Sequence, residues 1–269
     1  MQYDPIKKTL GRFFSGSLFM RKAFYLLLDL LLLRTWHVKR TLTKTSAHFE
    51  GEVSILDAGC GFGQYSWRMS QMNRNWKIMG IDIDREHIDD CSAFFKKAGL
   101  SERVSFSTGD LARLSDLNCY DLILSVDVME HIEEDTVVFA NFHNALKNKG
   151  TLIISTPSDK GGSDVHNEHD ASFIGEHVRD GYSIIDITEK LATAGFRNVE
   201  AAYTYGVPGS ISWLLSMKYP IKMLNISYLF FIVIPFWYLL FFPLSLILNY
   251  SDLIIKHKKG TGLIVTARK

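Results

Sequence analysis

The chain has 269 residues, enough for one α/β domain with additions. Its formal net charge of +1 gives no broad basic stripe, which argues against a dedicated nucleic-acid binder. Three cysteines, Cys60, Cys91 and Cys119, are widely spaced with no C-x-x-C, so neither a disulfide framework nor a zinc ribbon is expected. They read as reduced thiols of a cytoplasmic protein.

Residues 1–49 form an arm ahead of the first strand. Its apolar block, AFYLLLDLLLL over residues 23–33, is broken by Asp29. Arg12, Arg21 and Lys22 precede it, and Arg34, Lys39, Arg40 and Lys44 follow. The block is too short to span a bilayer and has no small-residue cleavage site. Apolar block plus basic flanks suits a helix lying in an anionic membrane surface.

VSILDAGCGFG, residues 53–63, reads as a buried strand running into a glycine-rich turn headed by Asp57, with a helix from about Gln64. Such a turn marks the usual ligand crevice of an α/β sheet. The dinucleotide fingerprint G-x-G-x-x-G fails here. Its third glycine falls on Gln64 counting from Gly59, and on Ser66 counting from Gly61. An acid at Asp57 opposes a pyrophosphate and suits a cationic ligand.

Further strands are expected at KIMGIDI (77–83), ending in Asp82, and at VSFSTGD (104–110), ending in Asp110. YDLILSV (120–126) and GTLIIST (150–156) are the next two. An acid at the end of a second strand can accept both hydroxyls of a ribose. DVMEHI follows the fourth strand and offers Asp127, Glu130 and His131 as bases.

After Pro157 comes a loop with His166, His169 and His177 among Asp164, Glu168, Asp170 and Glu176. Histidines and carboxylates together suit a divalent metal, but H-x-x-H without its context is a weak motif, and no metal ligand set is assigned. Arg179 is a candidate clamp for an acceptor carboxylate or phosphate, or else half of a surface salt bridge; Tyr182 is grouped with it as substrate-binding. Ser183 reads as the N-cap of a helix over residues 184–194, with Asp186 as its capping-box partner and Gly195 as the αL end.

Residues 198–205 and 262–268 read as the last two strands. Between them, residues 223–251 contain no charged side chain. YLFFIVIPFWYLLFFPLSLIL, residues 228–248, is long enough to cross a bilayer. One crossing would put the last strand on the far side of the membrane from its partner, so the segment is expected to leave and return on one side. Pro220, Pro235 and Pro243 offer breaks. Trp213, Tyr219, Tyr228, Trp237 and Tyr238 are candidate interface anchors, with Lys218, Lys222, Lys256, Lys258 and Lys259 facing headgroups. The competing reading is a buried helical subdomain or a dimer interface.

DAGCGFG, with Asp82 and Asp110 in register behind it, resembles the first motifs of the class I S-adenosylmethionine-dependent methyltransferases. The resemblance covers residues 51–205 and 262–269. It implies a Rossmann-like α/β fold: a mostly parallel seven-stranded sheet with an antiparallel last strand and helices on both faces. The domain plan is an amphipathic, basic arm at 1–49 that serves as a lid over the cofactor cleft or as a membrane contact, a cofactor-binding core at 50–205, a hydrophobic helical insertion at 206–261 as a monotopic membrane contact, and the final strand at 262–269.

The resemblance also implies the cofactor site. Asp57 lies near the methionine end, with Gly59, Gly61 and Gly63 allowing close approach of the backbone. Asp82 holds the ribose with Ile83 beside it, Asp110 contacts the adenine amino group with Leu111 beside it, and Ser125 completes the set. The arm is a lid in many members. Glu130, His131, His166 and His169 are the catalytic candidates. Quinone O-methyltransferases and small-RNA 2′-O-methyltransferases have E-x-x-E-H where this chain has Asp127 in place of the first Glu. The expected activity is methyl transfer, with oxygen favoured, to a hydrophobic small molecule or lipid. The expected place is peripheral or monotopic on the inner face of the cytoplasmic membrane. A non-catalytic membrane scaffold with this fold is the alternative, and a soluble acceptor is another.

Overall fold

The computed structural model describes residues 17–161 and 178–269. Arg12, His166, His169, His177 and their neighbouring acids fall outside the described residues, as does the side chain of Tyr228. In chain order the elements are α1 (Leu18–Leu31), α2 (Leu33–Ser46), β1 (Val53–Ala58), α3 (Gln64–Met72), β2 (Trp76–Asp82) and α4 (Arg85–Lys97). They continue with β3 (Val104–Thr108), β4 (Tyr120–Val126), α5 (Asp135–Ala145), β5 (Leu146–Pro157), α6 (Ile184–Thr193) and β6 (Arg197–Thr204). The last are α7 (Val207–Trp213), α8 (Tyr219–Ile226), α9 (Ile234–Ile254) and β7 (Gly262–Arg268).

Among the described residues the strands form one seven-stranded sheet in the order β3-β2-β1-β4-β5-β7-β6. Strands β1 to β5 pair in parallel, and β7 runs antiparallel to both β5 and β6. This is the Rossmann-like class I methyltransferase arrangement that the motif order implies. Strands β1 and β4 are almost wholly buried, as strands covered on both faces must be. The strand order reverses between them, which opens the ligand crevice at their C-terminal ends.

Each face carries its own apolar layer. One joins Phe139 and Phe142 of α5 with Ile187 and Leu191 of α6 against the sheet. The other joins Met69 of α3 and Phe94 and Phe95 of α4 with Phe24 and Tyr25 of α1 and Val38 and Leu42 of α2. The arm is therefore part of a core layer. Helix α4 shows why such segments form: Ile88, Cys91, Phe94 and Phe95 fall on one face, and the Asp84 side chain accepts from the amides of Glu86 and His87. Helix α6 starts as its capping motif requires, with Ser183 Oγ accepting from the Asp186 amide at 3.0 Å.

The insertion is a helical hairpin. Helix α7 runs through a π-helical stretch, Leu214–Lys218, into α8, and α9 returns. Both ends meet at one place, because Thr204 and Gly262 are paired in the sheet. Pro220 and Pro235 lie in the first turns of α8 and α9, where proline is tolerated. Pro243 sits inside α9 without ending it. The polar atoms of two expected anchors turn inward: Trp237 Nε1 donates to Leu215 O at 2.8 Å, and Tyr238 Oη to Ser216 O at 2.7 Å.

Helix α9 is polar inside and apolar outside. Its buried residues are Ser245, Asn249 and Asp252. Phe236, Leu239, Leu240, Leu244, Ile247, Tyr250 and Ile254 form an exposed stripe at helical spacing, with Leu239 79% exposed. Helix α1 has a second such stripe in Phe19, Leu26 and Leu30.

Asp252 fastens the root of the hairpin. It is fully buried and accepts from His37 Nε2 at 2.8 Å, from the Gly209 amide at 3.0 Å and from the Tyr205 amide at 3.2 Å. His257 Nε2 lies 3.1 Å from Oδ2, the oxygen that the Gly209 amide also reaches. One carboxylate thus ties α2, α7 and the segment after α9 together. Gly209 has to be glycine here, since a Cβ would lie 2.6 Å from Asp252 Oδ2 and 2.5 Å from Leu33.

Candidate active site

The glycine turn after β1 is held from three sides. Gly59, Gly61 and Gly63 all have positive φ, at 76°, 48° and 73°. The amides of Gly59 and Cys60 donate to Ile81 O at the end of β2. The Gly61 amide donates to Asp82 Oδ2 at 2.8 Å, and the Asp84 amide to Asp82 Oδ1 at 2.9 Å. From the third side, Arg21 of α1 donates to Phe62 O at 2.9 Å, and Tyr25 Oη donates to the same carbonyl at 2.5 Å.

In the sequence Arg21 reads as a basic flank of the apolar block. It is 1% exposed, and it donates to Tyr25 Oη at 2.9 Å and Asp90 Oδ2 at 2.5 Å. The positions of Arg21 and Tyr25 four apart on one helix were the available signal for this brace. Asp29, which breaks the apolar block, accepts from Gln64 Nε2 at 2.8 Å and faces Arg68. The arm and the turn therefore form one structure.

Asp57 lies beneath the turn, 2% exposed, and accepts from Ser66 Oγ at 2.5 Å. Burial pushes its carboxyl up to about 7, against the hydrogen bonds from Ser66 and with a further push from the Asp82 charge. A buried acid this reluctant to ionise fits a cationic ligand, whose charge would restore the carboxylate. Asp82 ends β2 and Ile83 follows it, its side chain 76% exposed where an apolar residue has nothing of its own to pack on. Open space lies over Gly61.

Asp110 follows β3 and accepts from the Ala112 amide at 2.9 Å, capping the short turn Leu111–Arg113; Leu111 is buried in the core. Ser125 is buried near the end of β4, and its Oγ has no hydrogen-bond partner. An orphaned hydroxyl, an uncovered glycine, an exposed apolar residue and an under-ionised acid, all at the C-terminal ends of β1, β2 and β4, fit an amphiphilic cation with a flat apolar part.

Beyond β4, Asp127 has φ of 51° and forms an ion pair with Arg34 at the start of α2. That pairing gives the first acid of D-x-x-E-H a structural partner. Glu130 is 1% exposed and accepts from Thr156 Oγ1 at 3.0 Å. Burial raises its carboxyl above the ordinary range. It caps no helix side-chain-wise, since Glu134 stands at the N-terminus of α5. His131 is exposed.

Arg179 and Tyr182 are not arranged as an acceptor clamp. Arg179 pairs with Asp135 and donates to Tyr182 Oη at 2.6 Å and to Ile132 O at 2.6 Å. Tyr182 is fully buried and reaches Met129 O and Asp135 Oδ2. Both are engaged in bracing the turn after β4. Among the described residues no three histidine, cysteine, aspartate or glutamate side chains are grouped to hold a metal ion.

Residues 49–197 match the methyltransferase domain family. The chain belongs to that family. Its fold and glycine turn are those of the class I S-adenosylmethionine-dependent enzymes. A ubiquinone biosynthesis O-methyltransferase of Rickettsia canadensis is 26% identical over 117 residues, 43% of this chain and 48% of that protein. Phosphoethanolamine N-methyltransferase 1 of Triticum aestivum is 28% identical over 148 residues, 55% of this chain and 29% of that protein. The chain thus spans half or less of the length of these curated relatives. Among solved structures, phosphoethanolamine N-methyltransferase 2 of Haemonchus contortus in complex with S-adenosyl-L-methionine superposes with a TM-score of 0.63 at 18% identity, over 87% of this chain and 52% of that one. Its likeness supports the fold. Most of the arm, the hairpin and β7 lie outside the family match.

Proposed function

We propose that this chain transfers the methyl group of S-adenosylmethionine to an oxygen of a hydrophobic small molecule or lipid that resides in a membrane. The observation that carries the membrane part is α9, which buries Ser245, Asn249 and Asp252 and exposes a continuous apolar stripe. An exposed apolar stripe of this length marks an interaction surface, and a bilayer surface takes it directly. The α1 stripe supports the same reading, and so does a match to a relative named for ubiquinone biosynthesis.

The cofactor supplies an electrophilic methyl on a sulfonium. The residues do the rest. Asp57 meets the cationic methionine end, while Gly59, Gly61 and Gly63 let the backbone approach. Asp82 accepts from the ribose hydroxyls through the lone pairs that the turn leaves over. Ile83 would cover the adenine, Asp110 would accept from its amino group with the backbone of Leu111 beside it, and Ser125 Oγ would gain a partner. Glu130 and His131 stand beside the transfer, with the exposed His131 as the described base for an acceptor hydroxyl. His166 and His169 remain candidates for that step. Holding donor and acceptor in line and dry is the larger part of the catalysis.

The membrane reading is tested by replacing Leu239, Leu240 and Ile247 together with aspartate and fractionating cells without detergent. These side chains are exposed, so the fold survives the change. The wild type should sediment with membranes and the variant remain in the soluble fraction. A wild type already soluble refutes the reading.

A further inference from the structure

A cleft of about 1070 Å³ lies away from the glycine turn, on the face of β6 and β7 that α2 leaves open. Its floor includes Glu200, Ala202, Ile264, Thr266 and Arg268. One wall is α2, contributing Arg40, Lys44 and His48; the other is the end of α9 and the residues after it, Leu253 to Lys256. Arg40 donates to Leu253 O and so ties the two walls together.

The cleft is cationic in a chain whose net charge is only +1. Arg40, Lys44, Lys256 and Arg268 line it against one carboxylate, Glu200. Lys44, Lys256 and Arg268 form no ion pair among the described residues. Unpaired like charges around one concavity repel each other and focus a positive field that an anion relieves. The lip is apolar: Ile254 and Ile255 are 56% and 50% exposed, and Ile254 ends the α9 stripe. A cationic hollow and an apolar lip that continues into a membrane-facing stripe match one kind of molecule, an amphiphile with a phosphate head.

We propose that this cleft binds the phosphate-bearing headgroup of an anionic phospholipid, whose chains run along the exposed stripe of α9. It is separate from the methyl-transfer site and would set how the enzyme sits on the bilayer. The inference rests on the membrane reading above.

The test is sedimentation of the full chain with vesicles of phosphatidylcholine alone and of phosphatidylcholine with phosphatidylglycerol. The wild type should prefer the anionic vesicles by at least about tenfold, each cation near the surface being worth about 1 kcal/mol. Lys44→Glu with Lys256→Glu should lose that preference while keeping its neutral-vesicle binding and its affinity for S-adenosylmethionine. Lys97→Glu with Lys149→Glu, an equal charge change on exposed residues elsewhere, should keep it. Equal losses in the two variants would overturn the cleft in favour of general electrostatics. A wild type that binds both vesicles alike would overturn it and leave the membrane reading standing; binding to neither would end both. Inorganic phosphate binding that the Lys44→Glu, Lys256→Glu variant abolishes, with no vesicle preference in the wild type, would make it a free-phosphate site. A dimer broken by the cleft variant would make it a contact between copies. Either result overturns the lipid assignment.

Discussion

Asp57 has its carboxyl raised to about 7 by burial, far above the ordinary value near 3.9. Its contribution to stability is fully present below about pH 4, and it is lost as pH rises through about 7. This is the reverse of a salt-bridged aspartate. A cationic ligand favours the ionised form, so binding near pH 7 should release part of a proton. Calorimetric titration with S-adenosylmethionine in buffers of different ionisation heat checks this. The apparent enthalpy should depend on the buffer near pH 7, lose that dependence well above it, and lose it at all pH in Asp57→Asn. Buffer-dependent heat that survives in Asp57→Asn assigns the proton to another group.

At the scale of elements, the N-terminal helix α1 packs against the candidate cofactor turn, as the lid reading of the arm expects. Arg21 and Tyr25 both bond to Phe62 O within the glycine turn, and Arg21 is almost fully enclosed. Removing a buried, hydrogen-bonded charge costs about 3 kcal/mol. Arg21→Met should therefore lower the melting temperature by several degrees and weaken S-adenosylmethionine binding, because the turn loses one of its three supports. An unchanged affinity with lowered stability would reduce the brace to a fold-level role.

Much of the candidate site's layout is legible in the sequence, and the reason is local. Strand ends, glycine spacing and the acids Asp57, Asp82 and Asp110 are set by short stretches of chain, and so is the Ser183 cap. What was not legible depends on long-range pairing. Arg21 reads as a membrane flank until Asp90 and Phe62 come beside it, 69 and 41 residues away in sequence. Arg179 reads as a clamp until Asp135 and the carbonyl of Ile132 take its donors. Trp237 and Tyr238 read as interface anchors until the π-helical stretch presents its carbonyls. The hairpin itself was foreseeable, because the two strands that flank it have to pair. Its inverted polarity was not, since Ser245, Asn249 and Asp252 reveal their shared face only when α7 and His37 pack against it.

Taken as a whole molecule, the chain joins a methyltransferase fold to two apolar surfaces, the stripes of α1 and α9. Both are attached to the cofactor-bearing half of the structure: α1 grips the glycine turn, and α9 is fastened through Asp252 to α2, whose first residues include Arg34, paired with Asp127 beside the candidate bases. The direct test of this account uses methyl-labelled S-adenosylmethionine. The purified protein is incubated with a total lipid extract of its source cells, and the organic and aqueous phases are counted. The account predicts label in the organic phase with the wild type and none with Asp82→Ala, which loses the ribose contact. Label confined to the aqueous phase, or none in either phase despite demonstrated cofactor binding, would contradict it.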